Sequence, residues 1–238
     1  MAKPFESYFG GKGGSGVCQA IINQIPPHET YGELFLGNGS IFRAKKLANN
    51  SILIDASAIV IEKWRNHLPK QAESQVQLIN GNAIEILEEQ REALDCSASF
   101  LYLDPPYPFF VRKSSEEVYE FELTDEQHIH LLGVISSYKN ANVMISSYPN
   151  EMYDETLSQW RKVDFVGQTR HGKVVERIYM NYQEPTELHD YQYVGKDFRD
   201  RWRIEKKIRG MIKKLEKLPE IERNAHLEAI RLKFVNES

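Results

Sequence analysis

The chain has 238 residues, which at roughly 150 residues per domain describes one full domain with an appended element. With 41% hydrophobic, 27% charged and 11% aromatic residues, its composition is that of a folded globular protein and excludes a disordered or fibrous chain. Residues 1–14 lack the apolar stretch of a secretory signal, no window approaches the roughly 18 uncharged apolar residues of a membrane span, and Cys18 and Cys96 stand without a Cys/His cluster; a cytoplasmic protein with no membrane, disulfide or metal requirement is expected.

Short apolar runs alternate with helix-like stretches through the first 180 residues, the rhythm of an α/β fold. Strands are expected near 31–36, 51–55, 76–79, 99–103 and 142–146, in one mainly parallel sheet. Helices are expected between them, near 14–25, 40–48, 58–67, 83–91 and 125–138. Thr124 and Gln127 form a capping box ahead of Ile129, Leu132 and Ile135. Segments 160–166 and 174–182 are of extended type and predict an antiparallel hairpin closing a seven-stranded sheet, with Gly167 to Lys173 as its turn.

A polar stretch, 183–195, reads as a linker between a domain at 1–182 and a basic element at 196–238. The net charge of −4 conceals that element: from Lys196 to Lys217, ten Lys/Arg stand against four Asp/Glu. Ile204, Ile208, Met211, Leu215 and Leu218 recur at helical spacing and mark one apolar helix face, of which Ile204, Ile208 and Met211 are expected to pack inward. Pro219 opens a second helix carrying Leu227, Ile230 and Phe234, which completes an αα-hairpin.

Two glycine segments compete for a ligand. Gly11 to Gly16 matches GxGxxG, but no strand of sufficient length precedes it and Gly13 stands where a phosphate-binding loop needs Ser or Thr. Glu33-Leu-Phe-Leu-Gly37-Asn-Gly39-Ser40 follows the first strand and opens a helix, the context in which glycines admit a ligand to the backbone. Asp55 ends the next strand, eighteen residues beyond Gly37, where a carboxylate can accept ribose hydroxyls. Gly81-Asn82 ends the third strand and can address an adenine ring, so three strand ends describe a nucleoside site.

The fourth strand runs into Asp104-Pro105-Pro106-Tyr107. A carboxylate emerging from a buried strand into a stiff turn, beside an aromatic ring, can hold a planar amino group. The lone pair of an exocyclic amine is delocalised into its ring, so a catalyst should bind both N–H groups with acceptors, here Asp104 and the Pro105 carbonyl, while Tyr107 stacks on the base. Neither cysteine follows a proline, so thiolate attack on a pyrimidine is unsupported.

Asp104-Pro-Pro-Tyr107, the Glu33 to Gly39 loop and the leading Tyr8-Phe-Gly10-Gly11-Lys12 together resemble the D12 class of adenine-specific DNA methyltransferases, the Dam-like family, in matching order over about three quarters of the chain. The resemblance implies a Rossmann-like fold, S-adenosyl-L-methionine as cofactor and methyl transfer to N6 of adenine in double-stranded DNA, with a homodimer among the assemblies it allows. It assigns Asp104, Pro105, Pro106 and Tyr107 to catalysis and Tyr8, Gly10, Gly11, Lys12, Phe35, Gly37, Asn38, Gly39, Ser40, Asp55, Asn82 and Asp104 to the cofactor side. Lys12 is expected near the donor carboxylate or the incoming base. The chain departs from the family in two ways. Only 21 residues separate Asn82 from Asp104, too few for the usual recognition insert, and Asn82 replaces a commonly acidic residue.

Nucleic acid is expected along three segments: Pro108 to Leu123 with Arg112 and Lys113; the hairpin turn with Arg170, His171 and Lys173; and the basic helix with Arg199, Arg203, Lys206, Lys207, Arg209 and Lys213. Ser146-Ser147-Tyr148, at the end of the fifth strand, is a further candidate for the base pocket. His128 and His130, two apart on a helix, face different ways and share no metal; the other histidines read as surface residues. Two other readings stay open: the same chemistry on RNA adenine, and a non-catalytic binding module built on a methyltransferase-like body.

Overall fold

The computed structural model describes residues 12, 16–112, 120–169 and 172–234. They form two compact units, Met1–Gln192 and Tyr193–Ser238. The first begins with a short helix α1 (Val17–Ile22) and strand β1 (Thr30–Leu34), then α2 (Ser40–Ala44), β2 (Asn50–Asp55), α3 (Ala58–His67), β3 (Val76–Asn80), α4 (Ala83–Glu89) and α5 (Arg91–Leu94). It continues with β4 (Ser99–Leu103), α6 (Asp125–Ser136), β5 (Asn142–Ser147), α7 (Glu151–Thr156), β6 (Arg161–Thr169) and β7 (Gly172–Met180).

The seven strands form one sheet in the order β3-β2-β1-β4-β5-β7-β6. Pairing is parallel from β3 through β5 and antiparallel between β5 and β7 and between β7 and β6. This is the mainly parallel sheet with a closing antiparallel hairpin that the sequence pattern predicts, in the Rossmann-like arrangement that the resemblance implies. All five residues of β4 are buried, as a central parallel strand covered on both faces requires. Side chains alternate between the faces. Leu34, Leu101 and Leu103 pack with Ile84, Leu87, Leu131 and Ile135, whereas Tyr31 and Phe100 stack on the opposite face, 6.0 Å between centroids.

Strand order reverses between β1 and β4, and in open α/β sheets ligands bind at such a switch point, beyond the carboxyl ends of the strands. Leu34 pairs with Leu103, so the residues that follow each leave the sheet side by side. The Asp104 amide donates to the Leu34 carbonyl at 3.3 Å, and the Leu36 amide to the Ile54 carbonyl at 3.0 Å. Register alone therefore brings the glycine loop, Asp55 and the Asp-Pro-Pro-Tyr turn to one edge.

Three local expectations are corrected. The hairpin is longer than the sequence suggests: β6 runs to Thr169 and β7 starts at Gly172, so Lys173 is a strand residue paired with Gln168, because ladder pairing continues through Gly167 opposite Val174. Helix α7 is an element the sequence pattern does not predict, although Asn150 caps it by accepting from the Tyr153 amide at 3.0 Å. His28 is half-buried rather than a surface residue, stacked on His189 at 3.8 Å. The Thr124–Gln127 capping box is formed in both directions.

The second unit holds α8 (Phe198–Glu216) and α9 (Glu220–Phe234). Asp197 caps α8 by accepting from the Asp200 amide at 2.8 Å. The expected inward packing fails at Ile208 and Met211, which are 52% and 61% exposed, whereas Ile204, Leu215 and Leu218 of the same row are half-buried. A pair of helices offers a single seam, too little to cover a whole apolar face.

Candidate active site

At the glycine loop, three residues in five take left-handed backbone: Phe35 at φ 64°, Gly37 at 47° and Gly39 at 55°. Glycine is required at Gly39 twice over, since an added Cβ would also collide with the Trp64 ring. Trp64 reciprocates by donating its indole N–H to the Gly37 carbonyl at 2.9 Å. Phe35 has no such freedom, and a bulky residue held at positive φ is local strain of the kind that collects at binding sites.

Asp55 organises this edge. Its two oxygens accept the Gly37 amide at 2.8 Å and the Ser57 amide at 2.9 Å. Burial holds its carboxyl above the ordinary range, opposed by those two amides, and Glu120, which takes the Ser57 hydroxyl at 2.9 Å, adds to the rise. Ser40 is buried at the first position of α2. The Asn38 carbonyl accepts from Arg43, whereas its side-chain oxygen is buried with no hydrogen bond among the described residues. Asn82 caps α4, accepting the Ile84 amide at 2.9 Å and donating to Glu85 at 3.3 Å. Its side chain therefore has a structural task at the strand end where the sequence suggests a ligand contact.

At the β4 end, Asp104 is met by Lys12, whose Nζ lies 2.7 Å from Oδ1. Ser146, from β5, donates to the same oxygen at 2.7 Å, and Tyr102 lies 3.3 Å behind Ser146. Oδ2 has no partner among the described residues. The Asp104 side chain is 19% exposed against 6% for Lys12, so the open oxygen belongs to the reachable member of the pair. Lys12 also donates to the Tyr107 hydroxyl at 2.7 Å, and that hydroxyl donates to Glu176 of β7 at 2.9 Å. The Lys12–Glu176 distance is 3.3 Å. Tyr148 packs its ring against Tyr107 at 4.6 Å and 70°.

Burial pushes Asp104 above the ordinary carboxylate range, opposed by Lys12 and Ser146 and reinforced by Glu176. Burial works against the Lys12 charge, yet the Asp104 and Glu176 carboxylates together raise its pKa and keep it an ammonium. Beneath the turn, His128 is fully buried, with Nδ1 3.0 Å from the Tyr153 hydroxyl. Burial lowers its pKa to about 4 against the opposing influence of the Pro106 carbonyl, so its ring is neutral at ordinary pH.

Arg112 is held by its neighbours: it pairs in bidentate fashion with Glu122 at 2.8 and 2.6 Å and donates to the Tyr107 carbonyl at 2.5 Å. It thereby ties the Tyr107 backbone to Glu122. Lys173 is exposed on β7. Arg199, Arg203, Lys206, Lys207, Arg209 and Lys213 are all exposed on α8, where Arg203 pairs with Asp200 at 2.7 Å and Arg209 with Glu205 at 3.6 Å. Tyr8, Gly10, Gly11, Lys113, Arg170 and His171 lie outside the described residues. Among the described residues no group of three His, Cys, Asp or Glu is placed to hold a metal, and no helix is long and apolar enough to cross a membrane.

Sequence reasoning missed Glu176. The signal was present: in the alternation of β7 it shares a row with Val174, Ile178 and Met180, a carboxylate at an inward, apolar position.

No family model and no curated protein matches the chain. Among solved structures it is similar to M. capricolum TrmK in complex with S-adenosyl-homocysteine, at 10% identity and a TM-score of 0.47, over 91% of this chain and 95% of that one. It is similar to a SAM-dependent methyltransferase from Agrobacterium tumefaciens, at 14% identity and a TM-score of 0.45, over 69% of this chain and 60% of that one. It is also similar to precorrin-6y C5,15-methyltransferase from Geobacter metallireducens GS-15, at 10% identity and a TM-score of 0.45, over 69% of this chain and 85% of that one.

Proposed function

We propose that this protein transfers a methyl group from S-adenosyl-L-methionine to N6 of an adenine in double-stranded DNA. The observation that carries the proposal is the Oδ2 of Asp104, without a partner among the described residues, at the strand end that opens on the switch point of the sheet and begins the turn carrying Tyr107.

The residues fit a nucleoside-bearing cofactor. Asp55 retains acceptor capacity on both oxygens for ribose hydroxyls, Phe35 to Ser40 supply a cradle of left-handed backbone, and Asn38 contributes a buried oxygen still lacking a donor. When bound, S-adenosyl-L-methionine supplies an electrophilic methyl carbon.

The chain's own groups prepare the amine. Asp104 Oδ2 and the Pro105 carbonyl accept its two N–H groups, drawing electron density onto nitrogen and aiming the lone pair away from the protein acceptors. Tyr107 offers its face to the base, and Tyr148 buttresses it. Positive charge develops on nitrogen as the new bond forms, and Asp104, ionised beside Lys12, stabilises that charge and takes the departing proton at Oδ2. The target nitrogen is inaccessible inside a duplex, so the base must be extruded. In this reading the basic helices within 196–238 contribute contacts to phosphates.

A second reading, transfer to RNA adenine, is favoured by the 21-residue interval before Asp104, which leaves no room for a duplex-reading insert. Offering labelled donor with DNA and RNA of matched sequence separates the two. Incorporation into duplex DNA supports the leading proposal, and incorporation confined to RNA replaces it.

A further inference from the structure

Resting on the reading that Asp104 receives a substrate amine, we propose that Glu176 is a positioning residue for that site: from β7 it fixes the Lys12 ammonium and the Tyr107 hydroxyl so that Asp104 keeps one oxygen bonded and the other open. Glu176 Oε2 takes both groups, Tyr107 at 2.9 Å and Lys12 at 3.3 Å. Its side chain is only 11% exposed, and a buried carboxylate is retained at a cost unless it is paired. Space for it is made across the hairpin, where a Cβ on Gly167 would collide with Oε1. Without Glu176 the Lys12 ammonium would have Asp104 as its sole carboxylate partner among the described residues, free to swing across both oxygens and cover the one the substrate needs.

The charge balance has a chemical consequence. One ammonium faces two carboxylates, a net −1 at the point where a neutral amine becomes cationic. An interaction that strengthens as charge develops lowers the barrier more than it tightens substrate binding. Replacing Glu176 by an uncharged residue therefore lowers kcat with little change in KM. The titratable groups coupled to Asp104 are Lys12 from the amino-terminal segment, Glu176 from β7, Glu33 from β1, Tyr102 and Tyr107 from β4 and the turn after it, Tyr148 from the turn after β5, and Tyr153 from α7. Of the two charged neighbours within 4 Å of one another beside it, Glu176 disfavours ionisation of Asp104 and Lys12 favours it.

The test uses the full-length chain with its aspartates labelled at 13Cγ, and needs neither donor nor nucleic acid for its first readout. The Asp104 carboxyl titrates at lower pH in Glu176→Gln than in wild type and at higher pH in Lys12→Gln. With an adenine-containing duplex, Glu176→Gln loses about tenfold or more in kcat, by analogy with removal of one transition-state contact, with KM nearly unchanged. Gly167→Ala keeps every charge and displaces the carboxylate, so it reproduces the kcat loss even where Glu176→Gln fails to fold. An unmoved Asp104 titration in a folded Glu176→Gln, or wild-type kcat in a folded Gly167→Ala, overturns the proposal. If wild type methylates no adenine in DNA or RNA, the functional reading fails instead, and the titration still decides what Glu176 does.

Discussion

Nζ of Lys12 lies 2.7 Å from Oδ1 of Asp104, a buried ion pair that joins the amino-terminal segment to the end of β4 and is completed by Ser146 on the same oxygen. The pair keeps the carboxylate an acceptor despite its burial. Asp104 nonetheless titrates above the ordinary carboxylate range. Turnover needs the ionised form, so it is full above that raised value and falls as pH drops through it, at a pH higher than an exposed aspartate would give. A pH–rate profile under saturating donor and DNA checks this, and Lys12→Gln moves the acid limb further up.

His128 makes stability depend on pH in a defined window. Its pKa falls from 6.5 in the unfolded chain to about 4 in the fold, because burial opposes the charged ring. A lowered histidine contributes fully above the unfolded value and loses its contribution as pH falls toward the folded one. Between about pH 6.5 and 4 this amounts to about 3 kcal/mol at the rate of 1.36 kcal/mol per pH unit. Urea titrations at a series of pH values should show the loss, and His128→Gln should flatten it. His28, lowered to about 3 by burial, acts in the same direction and leaves a residual slope in that variant.

Gly39→Ala tests the glycine loop as structure. The substitution drives a Cβ into the Trp64 ring and forces alanine to φ 55°. The backbone term alone costs about 1–2 kcal/mol, and overpacking against Trp64 adds about 1–3 kcal/mol. A drop in Tm with loss of donor binding is expected. Gly16→Ala, also at positive φ but with open space around it, should show only the backbone term.

Local interactions declare themselves in the sequence, and long-range ones do not. Asp104 to Tyr107 and the Phe35 to Gly39 loop were legible because a strand end, a glycine and a proline declare themselves within a few residues. Asp55 was legible from its spacing, and its hydrogen bond from the Gly37 amide shows that the two meet. Glu176 was not, because its role depends on antiparallel pairing between β5 and β7 and on a tyrosine 69 residues away. Arg112 carries a positive charge that suggests phosphate, and only the fold shows Glu122 ten residues on closing over it. Periodicity correctly marks α8 as a helix, but it carries no information on whether a partner exists to cover the apolar row.

The basic helix makes a separate prediction. Lys207 and Lys213 are exposed, whereas Arg203 already shares its charge with Asp200. Changing Lys207 and Lys213 to Gln should weaken DNA binding at all sequences alike and reduce the salt slope by about 0.9 for each phosphate that is no longer neutralised. Arg203→Gln should do less. Affinity measured against salt concentration checks both, and donor binding should be unchanged throughout.

In the proposed function, Asp104 presents the amine to the methyl donor. The direct measurement is to incubate the protein with labelled S-adenosyl-L-methionine and adenine-containing duplex DNA, digest the DNA to nucleosides and identify the labelled one by mass. The account predicts label on N6 of adenine with wild type, and at least about a hundredfold less with Asp104→Ala, while calorimetry shows the variant binding donor as before. Label on another base, or equal labelling by Asp104→Ala, would contradict it.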